Sequence, residues 1–185
     1  MLTWYNYLVT SSILLLLAGR LAAQTWACET GQVTFRSEAP LELISASSNE
    51  LKGVIDAQTR TFAFSVMIRS FQGFNSPLQQ EHFNENYLES NQYPKATFSG
   101  KIIEDIDFTQ PGTYTLRTKG ILTIHGVAQE RIIRAVVTVS GGVMRVNAPF
   151  TVALIDHQIA IPKIVRQKIA EVISVTVQAD MRARR

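Results

Sequence analysis

The three histidines His82, His125 and His157 are the residues whose types could support acid–base or metal chemistry, and His82 and His157 each adjoin a carboxylate in the chain. His82 lies beside Glu81 and three residues before Glu85, a set that could contact one metal ion. A protein zinc site needs at least three ligands and usually includes further His or Cys side chains, and no such partner is visible here. The same spacing is typical of the solvated face or cap of a helix. We therefore predict no metal site, and for His125 we predict a hydrogen bond at a turn.

Nucleophilic catalysis has equally little support in the sequence. His157 follows Asp156, but no G-x-S-x-G elbow and no phosphate-binding glycine loop occurs. Cys28 is the only cysteine, which excludes an intramolecular disulfide. Trp26 fits a lipidation signal poorly, so we interpret Cys28 as an ordinary half-buried residue, with a lipid-anchored cysteine as the alternative. No catalytic residue and no cofactor is predicted, while a hydrolase or isomerase built from distant Ser, His and Asp side chains stays an open alternative.

Composition indicates a folded domain without a nucleic-acid partner. The chain has 185 residues, of which 46% are hydrophobic and 18% charged, enough to build a sizeable core. Its 18 Lys and Arg against 15 Asp and Glu give a formal charge of only +3. The densest basic run is the tail Arg182, Arg184 and Arg185, too short for a nucleic-acid interface.

A short apolar segment near the start predicts export. Residues Ser11 to Gly19 read SSILLLLAG and are followed by the small residues Ala22 and Ala23. The run is shorter than the roughly 20 residues that a membrane-spanning helix needs, and it resembles a signal-peptide core with its cleavage site. We therefore predict a signal peptide over residues 1–23 and one mature domain over residues 24–185, with a membrane anchor as the alternative. No stable membrane insertion after cleavage is predicted.

The mature chain is dominated by runs that alternate apolar and polar residues. In Thr113 to His125, Tyr114, Leu116, Leu122 and Ile124 fall on one face and polar residues on the other, as in a half-buried strand. Gly126 and the pair Gly141-Gly142 predict turns. About nine strand runs are predicted: 32–37, 41–47, 51–56, 62–68, 97–106, 113–125, 131–139, 144–154 and 172–181.

One helix is predicted among these strands. Ser76-Pro77-Leu78-Gln79 is a helix start, with Ser as the cap and Pro at the first helical position, and the helix runs to about Leu88. A second short helical turn is predicted after Pro162. The apolar side chains of the main helix suit either a lid that contacts a ligand or a plug that only stabilises one end.

The strand pattern predicts an all-β sandwich or barrel. A closed barrel of about eight strands is just wide enough to be filled by side chains or to hold one small ligand. The inward faces are rich in Phe, Val, Ile and Leu, with Gly100, Ala135 and Ala148 as small members. The pattern by itself is equally consistent with a ligand cavity and with a filled core.

Residues 71–100 read FQGFNSPLQQEHFNENYLESNQYPKATFSG and resemble the signature of the YceI family of exported lipid-binding proteins. Further matching segments are 31–37 with Ala39-Pro40, GILTIHGV at 120–127, and 173–180. The resemblance implies an extended antiparallel eight-stranded lipocalin-like barrel, with one short helix covering one end. It implies a pore for a polyisoprenoid or similar amphiphile, with no catalytic residue and no metal. The chain departs from the family pattern at Asp156-His157-Gln158 and Ile161-Pro162, which changes the expected shape of that end of the pore.

The predicted function is that of an exported binding protein, periplasmic or secreted, that holds an isoprenoid-type or other long-chain lipid for sequestration or transport. The alternatives are a stress-response or interaction protein that uses the barrel as a scaffold, and a weak hydrolase or isomerase. Strand edges of an incompletely closed barrel could pair between chains, which would give a homodimer. The predicted lipid-binding residues are Phe62, Phe64, Val66, Phe71, Phe74, Phe83, Phe98, Leu116, Leu122, Ile124, Val137 and Phe150.

Overall fold

The computed structural model describes residues 25–184 and shows a closed barrel of eight antiparallel strands. Each strand pairs with its neighbours in sequence, and the first pairs with the last, which confirms the predicted all-β barrel. The strands are β1 Thr25–Glu38, β2 Leu43–Asp56, β3 Thr61–Met67, β4 Lys95–Ile102, β5 Gly112–Ile124, β6 Val127–Ser140, β7 Val143–Ala153 and β8 Val172–Arg184. β6 pairs with β7 only over Val136–Ser140, so part of that ladder is open, and the homodimer expected from free strand edges stays a prediction.

Strict alternation explains why these segments form barrel strands. Along β6 the inward residues Ile133, Ala135, Val137 and Val139 are buried, and the outward residues between them are largely exposed. The turn from β5 to β6 is His125-Gly126, with φ of 52° and 70°, and Gly141-Gly142 likewise has φ of 57° and 75°. Two successive left-handed residues match the right-handed twist of a hairpin, so both predicted glycine turns are confirmed.

Several strand bounds differ from the sequence prediction; β6, for example, begins at Val127, four residues earlier than predicted. β1 begins at Thr25 and not at Gln32, because register shifts on either side of Gly31 interrupt its alternation. Opposite that irregularity, Asn49 and Glu50 both face solvent, so the runs 41–47 and 51–56 read as two strands although they form one, β2. β4 ends at Ile102, four residues earlier than predicted.

The predicted helix start is confirmed, and the helix has an irregular second half. Helix α1 spans Pro77–His82, and Ser76 Oγ accepts a hydrogen bond from the Gln79 N–H at 3.2 Å. A π-helical turn follows over Phe83–Tyr87, closed by the Leu88 N–H on the Phe83 carbonyl at 3.0 Å. The predicted turn after Pro162 is a 3₁₀ turn over Lys163–Val165, and two unpredicted 3₁₀ turns span Ile68–Ser70 and Leu154–His157.

The two ends of the barrel differ in how they are closed. One end, here called the base, carries the first residues of β1 and is filled by large buried side chains: Trp26, Cys28, Phe108, Met144 and Met181. The other end, here called the mouth, carries α1 and the segment 158–171 between β7 and β8. The predicted leader, residues 1–23, lies outside the described residues. Within residues 25–184 no helix combines the length and apolar character needed to cross a bilayer.

Candidate functional site: a barrel cavity open at the mouth

A cavity of about 520 Å³ occupies the barrel between the base and the mouth. Its volume falls within the range of roughly 300–1,000 Å³ that is common for small-molecule sites. Its lining runs from deeply buried residues such as Leu116 and Val137 to the exposed Leu78, so it reaches the surface at the mouth. The twelve side chains predicted from the sequence all line it: Phe62, Phe64, Val66, Phe71, Phe74, Phe83, Phe98, Leu116, Leu122, Ile124, Val137 and Phe150.

The cavity is elongated along the barrel axis. Leu116 and Ile124 both line it and lie eight positions apart on β5. With a rise of about 3.4 Å per residue and a strand tilt of roughly 40°, these positions are separated by about 20 Å along the axis. The space is therefore shaped for an extended chain and not for a compact molecule.

Two groups of aromatic rings form much of the wall. Phe62 and Phe98, on neighbouring strands β3 and β4, have ring centroids 4.9 Å apart. The ring of Phe64 lies over Gly53 of β2, where an added Cβ would come within 2.1 Å of it. Gly53 therefore allows Phe64 its position in the wall.

The second aromatic group surrounds the mouth and includes a residue that the sequence prediction missed. Phe71, Phe74 and Phe83, which were predicted, gather around Phe35 of β1 with centroid distances of 5.3 to 5.9 Å. Phe35 itself alternates with Val33 on the inward face of β1, and both line the cavity. That alternation was the signal that could have identified Phe35.

Helix α1 forms one wall of the mouth and does not fill the barrel. It contributes Leu78, Gln79 and His82 to the lining, and the turn after it contributes Phe83 and Tyr87. The helix is held against the β1–β2 connection by Glu42, whose Oε1 accepts a hydrogen bond from Gln79 Nε2 at 2.9 Å. The helix therefore borders the cavity opening, and its contact with a ligand stays a prediction.

The opposite wall of the mouth is the segment 158–171, which the sequence did not identify as part of the site. Ile159, Val165, Lys168 and Ile169 line the cavity. The segment is tied to the end of β1 by the Ala170 N–H, which donates to the buried Ser37 Oγ at 2.9 Å. Because this segment is irregular, its apolar residues do not recur at a helix or strand spacing. The sequence pattern therefore could not predict that they lie at the mouth.

His125 and His157 form hydrogen bonds that connect parts of the fold. His125 Nε2 lies 2.6 Å from Glu89 Oε2 and its Nδ1 lies 3.1 Å from the His157 carbonyl, which confirms hydrogen bonding at the turn. His157 is fully buried, and its Nδ1 contacts the Val127 carbonyl at 3.1 Å. These contacts join the β5–β6 turn to the segments that form the mouth. Within residues 25–184 no serine or cysteine is hydrogen-bonded to a histidine, and no three His, Cys, Asp or Glu side chains are grouped to hold a metal.

Burial raises the pKa of two ionisable groups of the barrel. Desolvation raises the pKa of the Tyr87 phenol, which lines the mouth. It also raises the pKa of the Cys28 thiol, whose Sγ lies 3.8 Å from the Leu51 carbonyl. Cys28 is 3% exposed within β1 and so is more buried than predicted. A buried thiol with a raised pKa is a poor nucleophile.

Comparison with known proteins gives one family and a set of similar folds. The family model of the YceI-like domain matches residues 27–181. A polyisoprenoid binding domain from Saccharophagus degradans, implicated in plant cell wall breakdown, superimposes with a TM-score of 0.73 at 15% identity, covering 88% of this chain and 99% of that one. BcnA of Burkholderia cenocepacia gives 0.67 at 13% identity over 81% and 95% of the two chains.

A YCEI protein of Campylobacter jejuni gives a TM-score of 0.56 at 15% identity, covering 75% of this chain and 83% of that one. At these identities the structural matches establish a shared fold. A sequence comparison with curated proteins returned no match.

Proposed function

The chain belongs to the YceI-like family, and on that premise we propose that it binds one long-chain apolar or amphiphilic lipid of the isoprenoid class in its barrel. The observation that carries the proposal is the elongated cavity, closed at the base and open at the mouth, with walls of aromatic and branched aliphatic side chains. The twelve predicted residues are proposed as its lipid contacts. The match to a polyisoprenoid binding domain supports the isoprenoid class.

The energetics favour a chain that lies along the barrel. Apolar area removed from water contributes about 25 cal/mol per Å², so affinity grows with every carbon that enters the cavity. The polar lining groups Glu42, Gln79, His82 and Lys168 lie at the mouth, where a head group can stay hydrated. The bound lipid is therefore oriented with its tail toward the base and its head at the mouth.

The proposed role is sequestration or transport of this lipid outside the cytoplasm. We assign residues 1–23 to a signal peptide and residues 24–185 to the binding domain, which places the protein in the periplasm or makes it secreted. No catalytic step is assigned, since the polar groups of the cavity wall include no paired nucleophile and base among the described residues.

Native mass spectrometry tests the binding function. Protein purified without detergent from its own host should carry one apolar molecule per chain, and solvent extraction should identify that molecule. The same protein, stripped of ligand and incubated with polyprenols or with acyl lipids, should regain a single ligand. A protein that is empty after purification and stays empty after both incubations would contradict the proposal.

A further inference from the structure

Connections at the mouth carry the three most exposed large apolar side chains of the described residues, Ile164, Ile155 at 78% and Leu41, and the next, Ile132 at 59%, lies on the barrel wall. Ile164 is 91% exposed and Leu41 is 67% exposed, and they sit on the two connections that lie side by side at this end. The Leu41 N–H donates to the Gln167 carbonyl at 2.9 Å, which fixes the two connections to one another. Leu78 of α1, 58% exposed, lies on the other wall of the mouth. Ile164, Leu41 and Leu78 are together called the mouth rim.

The rim is flanked by unpaired cations. Residues 162–168 read PKIVRQK and carry Lys163, Arg166 and Lys168 without a carboxylate. All three are exposed, and none belongs to an ion pair found within residues 25–184. Glu42, the carboxylate of the neighbouring β1–β2 connection, accepts hydrogen bonds from Asn75 and Gln79. An exposed isoleucine between two such cations combines apolar insertion with attraction to negative charge.

We propose that the mouth rim docks on the surface of an anionic phospholipid bilayer, with Ile164 inserted at the acyl boundary and Lys163 and Arg166 at the phosphates. This inference rests on the proposed function, because it names the surface from which the barrel takes its lipid. Val165 and Ile169, adjacent to the rim in sequence, line the cavity, so docking would bring the cavity opening to the apolar layer. A lipid tail could then enter the barrel without crossing water.

The positive charge of the mouth favours an anionic bilayer as the partner. Peripheral binding by a small apolar insertion is weak by itself and becomes measurable when basic residues lie beside it. Each cation close to an anionic membrane surface strengthens partition roughly fivefold. The pair Lys163 and Arg166 therefore accounts for roughly 25-fold, and the effect falls as salt shortens the Debye length.

Vesicle flotation with matched variants tests this surface. Vesicles of phosphatidylcholine alone are compared with vesicles containing about a third phosphatidylglycerol, at about 0.05 M and about 0.5 M salt. The charge variant is Lys163→Gln with Arg166→Gln, and the apolar variant is Ile164→Ser. None of these residues lines the cavity, so ligand content should be unchanged.

The controls make the same kinds of change on the barrel wall. Lys52→Gln with Arg134→Gln removes two exposed charges of β2 and β6, and Ile132→Ser removes an apolar side chain that is exposed on β6. Wild type and both controls should float with the anionic vesicles at low salt. The charge variant should bind roughly 25-fold more weakly, and the apolar variant should lose at least tenfold.

The outcomes separate the docking surface from the binding function. Two outcomes would overturn the docking surface and leave the proposed function standing, provided that the wild type carries lipid by native mass spectrometry. In the first, the wild type does not bind vesicles. In the second, it binds both vesicle types equally and the rim variants lose nothing. Retention of such a protein by a protein partner through the same rim also overturns it. Charge-dependent docking by a protein that never carries lipid supports the surface and contradicts the function.

Discussion

Leu122 offers the sharpest test of the cavity, because it projects into the cavity between the mouth and the deep end. It lies on the inward face of β5, is 4% exposed, and pairs with Phe98 across the β4–β5 ladder. Leu116, at the deep end, is six positions further from the mouth, which corresponds to about 15 Å along the axis. Leu122→Trp would place an indole in the cavity at this level and exclude a chain from the deeper part.

The expected loss follows from the apolar area that the chain can no longer bury. Each buried methylene contributes about 0.8 kcal/mol, so exclusion of only four carbons costs about 3 kcal/mol, which weakens Kd roughly 200-fold. The variant should also lose the copurifying lipid. Because the larger ring enters existing space, the free energy of unfolding should fall by no more than the 1–3 kcal/mol typical of an overpacked core.

The matched control is Ile121→Trp, the neighbouring residue on the same strand, which faces outward and is 43% exposed. This variant should keep both the lipid and its affinity. Ligand content is measured by native mass spectrometry, affinity by titration of ligand-free protein with a polyprenol, and folding by the thermal midpoint in circular dichroism. A folded Leu122→Trp that retains one lipid per chain at wild-type affinity would refute the assignment of the cavity as the binding site.

Three further predictions concern the frame around the cavity. Gly120→Ala should lower the free energy of unfolding by at least about 2 kcal/mol in urea denaturation, because the new Cβ would lie 2.3 Å from the Ser99 carbonyl oxygen; an unchanged midpoint contradicts this close approach. Hydrogen bonds from Arg117 lower the pKa of the Glu104 carboxyl, so their stabilisation is present at neutral pH and is lost as pH falls through the lowered value. Glu104→Gln should therefore cost up to about 1 kcal/mol at neutral pH and nothing in strong acid, and a cost that is equal at both pH values contradicts this. Ser37→Ala removes the acceptor for the Ala170 N–H and should speed hydrogen exchange at that amide, while an unchanged rate would show that this bond does not hold the segment 158–171.

The sequence predicted the barrel well because its strands alternate strictly where the ladders are regular. β6 and β7 were placed to within a few residues, and the turns at Gly126 and Gly141-Gly142 follow from glycine chemistry. The early part of β1 was missed for a physical reason. The irregular pairing around Gly31 shifts the inward face, so a period of two cannot be followed from Trp26 to Val33.

The candidate site was predicted only where it lies on regular elements or in the family signature. Residues such as Val66 and Leu122 are inward members of alternating strands, and Phe83 lies in the signature. Lys168 and Ile169 lie in irregular chain, and they reach the mouth through hydrogen bonds of Leu41 and Ala170 to residues more than a hundred positions away. No local pattern encodes such contacts.

The difference between a filled barrel and a hollow one depends on side-chain size at each level, and not on the alternation itself. At the base, Trp26, Phe108, Met144 and Met181 meet across the interior and close it. At the level of the cavity, Ala135 of β6 and Ala148 of β7 are small inward side chains on neighbouring strands, and both line the cavity. An eight-stranded barrel is only just wide enough for side chains to fill, so small side chains on neighbouring strands leave space open between the walls. The apolar walls around that space lack packing partners that an apolar chain can supply, and this is the physical basis for the proposal that the barrel binds a lipid.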